Sequence, residues 1–142
     1  MTGYRSTFFR HECRVRGCYV EQLPSWDHYI RAFPRNIRPT DVDGLVEVNG
    51  HILVLEEKCV GKGPDEGQRR ALQRLASLPN VRVVFFRPIG TEGGLETLTF
   101  PDPDGWKPTT SEAFALSLHA WAVWADNTPP VLWTAAEAVV PA

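Results

Sequence analysis

The chain has 142 residues, 43% hydrophobic and 23% charged, which allows one domain with a real core and does not fit a disordered polar chain. Its net charge of −2 is unevenly spread: residues 1–87 hold 14 Lys and Arg against 10 acids, and the remainder holds one Lys against seven acids. A basic front half suits a polyanionic partner.

No apolar run is long enough to span a bilayer, and no signal-peptide pattern opens the chain, so no membrane association and a cytoplasmic setting are expected. Three cysteines read as reduced thiols.

In chain order, Arg14 to Gln22 has partial strand character, and Ser25 to Phe33 fits a short helix capped by Ser25. Pro34 and Pro39 bracket residues that should be extended or turned. Two strand-like runs follow, Asp43 to Val48 and His51 to Lys58, joined by Asn49-Gly50. That pair tolerates positive φ at both positions and predicts a two-residue hairpin. Gly61 to Pro64 makes a loop, and Asp65 to Ser77 fits an amphipathic helix with Ala71, Leu72, Leu75 and Leu78 on its apolar side. Val81 to Arg87 reads as a buried strand.

The helix between the second and third strands predicts a mixed sheet with a right-handed crossover. Leu95 to Phe100 fits an edge strand. Thr109 and Glu112 have capping-box spacing before a helix over 111–126. Residues 127–142, with two adjacent prolines, read as a loosely attached tail. The expected architecture is a single α/β domain over residues 1–142, with a central mixed β-sheet flanked by helices.

The chemistry gathers at one end of the hairpin. On the second strand Ile52 to Leu55 are apolar, and Glu56, Glu57 and Lys58 follow. Alternation puts Glu56 and Lys58 on one face, about 7 Å apart. A hairpin centred on Asn49-Gly50 pairs residue 43 with residue 56, so Asp43 and Glu56 should meet. Two convergent carboxylates can hold Mg²⁺ or Mn²⁺, and a lysine beside them can orient an attacking water or offset developing charge. Singly, each residue has a plainer reading: a solvated Glu and Lys at a strand end, and an Asp that opens a turn. Their joint place at the ends of apolar strands, where buried charge is costly, favours the chemical reading.

An Asp-Gly opening a strand, a hairpin, an apolar strand ending in Glu-x-Lys and a helix beginning with Gln resembles the PD-(D/E)XK, or restriction endonuclease-like, nucleases. Within them the pattern is most similar to small VRR-NUC and Holliday-junction-resolvase-like modules. The matching stretch is residues 39–87. The resemblance implies a metal-dependent DNA endonuclease with a restriction endonuclease-like core, active in DNA repair, recombination or phage DNA processing. Asp43 and Glu56 would be metal ligands, with the backbone carbonyl of Glu57 as a third oxygen. Lys58 would be the catalytic lysine and Gln68 would support the metal or phosphate. Asp41 is the alternative to Asp43. Val42 stands where the family motif has proline, and Glu12 and Glu21 are the candidates for an acid from an N-terminal helix.

Lys62, Arg69 and Arg38 are the expected DNA contacts among the basic residues flanking this motif. His11, Cys13, Cys18 and Cys59 make a weaker zinc pattern, and structural thiols explain them as well. Phe114, Leu118, Trp121 and Ala125 form a helical stripe, read as core, with a homodimer face as the alternative. A non-catalytic DNA- or protein-binding module on the same scaffold is the alternative function.

Overall fold

The computed structural model describes residues 29–37, 39–90, 94–101 and 104–132. The chain divides into two compact units, Met1–Pro39 and Thr40–Ala142. In the first, the described residues hold two 3-10 turns, Ile30–Ala32 and Pro34–Asn36. The described part of the expected Ser25 to Phe33 helix is therefore a single 3-10 turn, since Pro34 cannot extend a helix from the preceding residues. The expected strand over Arg14 to Gln22, together with Glu12, Glu21, His11, Cys13, Cys18 and Arg38, lies outside the described residues.

The second unit is α/β. Among the described residues five strands form one sheet in chain order: β1 (Gly44–Val48), β2 (His51–Glu57), β3 (Val81–Ile89), β4 (Gly94–Phe100) and β5 (Lys107–Thr110). β2 and β3 are parallel and every other neighbouring pair is antiparallel. Helix α1 (Glu66–Ala76) makes the connection that a parallel pair requires, and helix α2 (Ser111–Asp126) follows β5. The sheet is thus mixed, as the pattern predicts, but β4 is internal and a further strand, β5, forms the edge. β5 has only four residues and contains Pro108, so no alternating signal marks it.

Side-chain alternation divides the sheet into two packed faces. Val54, Val83, Phe85, Leu98 and Phe100 meet Leu72 and Ala76 of α1. Leu53, Leu55, Val84 and Phe86 meet Trp121 and Ala125 of α2, with Phe114 and Leu118 beside them. The α2 stripe therefore covers the sheet. On α1 the inner face is Gln68, Leu72 and Ala76, while Ala71 and Leu78 are exposed. Leu72 and Leu75 face the core as the apolar spacing predicts, but Ala71 and Leu78 do not, and a polar residue, Gln68, is held inside by a hydrogen bond described below.

Two further details differ from expectation. The N-cap of α2 is Thr110, whose hydroxyl accepts from the Ala113 N–H, and Thr109 belongs to β5. The segment after α2 is tied down as far as it is described. Thr128 accepts from Asn49 Nδ2 at 3.1 Å and bonds His51 Nε2 at 2.8 Å, and Val131 exchanges two hydrogen bonds with Asn80. At the hairpin turn Asn49 (φ 51) and Gly50 (φ 82) take the left-handed conformation, and Pro130 packs where a Gly50 side chain would stand.

Candidate active site

β1 and β2 pair in the register Gly44↔Leu55, which brings residue 43 to residue 56 just past the ladder. The backbone there forms a reciprocal clasp. The Asp43 N–H donates to Glu56 Oε2 at 3.1 Å, and the Glu57 N–H donates to Asp43 Oδ2 at 2.8 Å. Asp43, not Asp41, is the acid bonded to Glu56 and Glu57.

Glu56 lies on the α1 side of the sheet with Val54, and it is buried. Gln68 reaches it from the first turn of α1, donating from Nε2 to Glu56 Oε1 at 2.7 Å. The position of Gln68 is set by the helix start. Asp65 caps α1, accepting from the Gln68 N–H at 2.7 Å. Lys58 Nζ stands 3.6 Å from the same Glu56 oxygen. The structure therefore brings Asp43, Glu56, Lys58 and Gln68 into one cluster. Replacing Asp65 with alanine is expected to cost about 1 kcal/mol in denaturant unfolding, and to loosen Gln68 with it.

Burial pushes the Glu56 carboxyl above its ordinary value, and the nearby Asp43 charge adds to the rise. Hydrogen bonds from the Asp43 N–H and Gln68, and the charge of Lys58, oppose it. A carboxylate in this position is short of positive charge. Gln68 Oε1 is also buried and accepts no hydrogen bond among the described residues. Two hard carboxylates and an unused amide oxygen are the donor chemistry that suits Mg²⁺ or Mn²⁺, which keep several waters and need only one or two carboxylates. Among the described residues no three His, Cys, Asp or Glu side chains converge on one point. The Glu57 side chain belongs to the opposite face of β2 by alternation, so any contribution from that residue must come from its backbone.

The expected DNA contacts are more dispersed. Lys62 and Arg69 are exposed, on the β2–α1 loop and on α1. Cys59 is an exposed free thiol.

Two residues with no sequence-based role are firmly placed. Arg87, on the α1 face of β3, pairs with Glu96, stacks 3.8 Å from the Trp106 ring centroid and donates to the Lys62 carbonyl at 2.7 Å. It pins the loop that leads from Lys58 into α1. Alternation with Val83 and Phe85 already assigns Arg87 to that face, but its partners come from distant segments. His51 is buried against Trp124, with ring centroids 4.7 Å apart, and its Nδ1 has no partner among the described residues. A lone histidine after a turn carries no signal of burial.

No helix among the described residues is long and apolar enough to cross a membrane. Comparison of the chain with models of protein families, with curated proteins and with solved structures gives no match.

Proposed function

We propose that this chain is a metal-dependent DNA endonuclease with a restriction endonuclease-like core, its site built from Asp43, Glu56, Lys58 and Gln68. The observation that carries the reading is the clasp between Asp43 and Glu56, with Lys58 and Gln68 on the same buried carboxylate. A purely structural cluster would gain little from a buried acid whose ionisation is opposed.

Asp43 and Glu56 would hold Mg²⁺ or Mn²⁺, with the Glu57 carbonyl available as a third oxygen. When bound, the ion supplies a more acidic water and neutralises charge on the scissile phosphate. Gln68 fixes the Glu56 carboxylate through its amide, so that the acid need not reorganise during the reaction. Lys58 presents a cation beside that carboxylate, where it can orient the attacking water or balance negative charge building on the phosphate. Lys62 and Arg69 supply phosphate contacts that grip DNA without reading its sequence. The chemistry suits DNA repair, recombination or phage DNA processing.

The test is cleavage of labelled duplex, single strand, flap and four-way junction with Mg²⁺, Mn²⁺ or EDTA. Cutting that requires the metal is expected, and the panel identifies the preferred structure. Failure of folded protein to cut any of them would overturn the reading in favour of a binding protein on this scaffold.

A further inference from the structure

The end of the sheet where β2 and β3 begin carries a second concave region, lined by these strand starts, by α2 and by the end of α1. Two adjoining clefts, of about 430 Å³ and 300 Å³, share Arg82, Trp121 and Trp124. The size falls in the range of small-molecule sites, about 300–1,000 Å³. Arg82 is the second residue of β3 and points to the α2 side with Val84. It is exposed and has no ion pair or hydrogen bond among the described residues. Trp124 is 49% exposed, and Trp121 is buried on the sheet beside it.

The lining is selective in charge. In a chain with 17 acids, no Asp or Glu among the described residues lines either cleft. The remaining polar groups are neutral donors and acceptors, such as Ser117 and Asn80, with His51. His51 is only 3% exposed and its Nδ1 is buried, so it shapes the wall without offering the cleft a polar atom. A guanidinium beside two indoles, with no described carboxylate in the wall, matches a flat ring joined to an anion. Arginine binds phosphate through its fork, and an exposed indole stacks a base whatever its identity.

We infer that this cleft binds a nucleotide, its base stacked on Trp124 and its phosphate held by Arg82. The site is distinct from the carboxylate cluster, because Arg82 pairs with Leu53 near the start of β2 and the cluster lies at the far end of that strand; it does not depend on the cluster being catalytic. The ligand is either a free mononucleotide or an unpaired nucleotide of a strand; the recognition chemistry is the same.

Calorimetric titration in EDTA tests this with deoxyadenosine monophosphate, deoxyadenosine, inorganic phosphate and a short oligodeoxyadenylate. Arg82→Ala is expected to weaken the monophosphate about tenfold and to leave deoxyadenosine unchanged. Trp124→Ala is expected to weaken both about tenfold, with Trp124→Phe recovering part of the loss. Tighter binding of the oligomer identifies a strand as the ligand, and equal binding identifies the free nucleotide. The inference is overturned if folded wild-type protein binds no nucleotide, or if Arg82→Ala and Trp124→Ala both keep wild-type affinity. Loss of monophosphate binding in Lys58→Ala would also overturn it, because the nucleotide would then sit at the other site. Absence of cleavage in the panel above, by contrast, leaves this titration unaffected.

Discussion

Lys58→Ala is expected to lower metal-dependent cleavage about 10²–10⁴-fold while the protein folds and binds DNA nearly as the wild type does. The separation follows from position. Lys58 is one residue beyond β2, its side chain is 18% exposed, and its ion pair is the 3.6 Å approach to Glu56. Its backbone bond, from N–H to the Phe86 carbonyl at 2.8 Å, survives any side-chain change. The fold loses a long, mostly buried ion pair, a cost limited because burial already favours the neutral Glu56 carboxyl. The reaction loses the lysine of the cluster. Single-turnover cleavage measured beside circular dichroism separates the two effects. Cleavage at the wild-type rate would remove Lys58 from the site.

Glu56→Gln is expected to divide stability from activity in opposite directions. Cleavage should fall as far as it does for Lys58→Ala, because an amide cannot supply the carboxylate charge that the proposed metal ion would require. Stability in EDTA at neutral pH should rise. The folded state holds Glu56 above its ordinary pKa, chiefly through burial, so ionised Glu56 opposes folding. The native protein then binds more protons than the unfolded chain in the window between the two values, and stability falls as pH rises through it. Glutamine removes that slope. The new amide can donate to the unpartnered Gln68 Oε1 once the Gln68 side chain turns over. Thermal melts from acid to neutral pH check the sign: the wild type should lose stability along the series relative to Glu56→Gln. A variant that is less stable throughout would show that the Asp43 and Gln68 hydrogen bonds outweigh the cost of burying the charge.

The parts of this molecule that are legible in sequence are those fixed by local rules. Asn49-Gly50 sets the hairpin, and alternation along β2 then fixes the register. That register is why Asp43 and Glu56 can be paired by counting residues outward from the turn. Asp65 and the period of Leu72 and Leu75 mark α1 in the same way. The rest depends on contacts that sequence does not display. β5 forms because Lys107–Thr110 finds β4, not because four residues with a proline favour a strand. Gln68 is buried because Glu56 receives it, which reverses the usual reading of a polar helix position. His51 and Arg87 become interior groups only when Thr128, Trp124, Trp106 and Glu96 close on them.

The strand order has a kinetic consequence. Among the described residues each strand pairs only with strands adjacent to it along the chain, so none of these pairings has to wait for a distant segment. Strand pairing is sequential, the condition that favours rapid folding, and the long-range closure is left to α2. During synthesis from the N-terminus, the stretch from Asp43 to Phe86 can assemble before α2 has been made. Leu53, Leu55, Val84 and Phe86 then stand uncovered until Trp121 and Ala125 arrive. The interval between translation of β3 and of α2 is when a nascent chain of this protein is most exposed to aggregation, and a chain that ends before α2 would remain in that state.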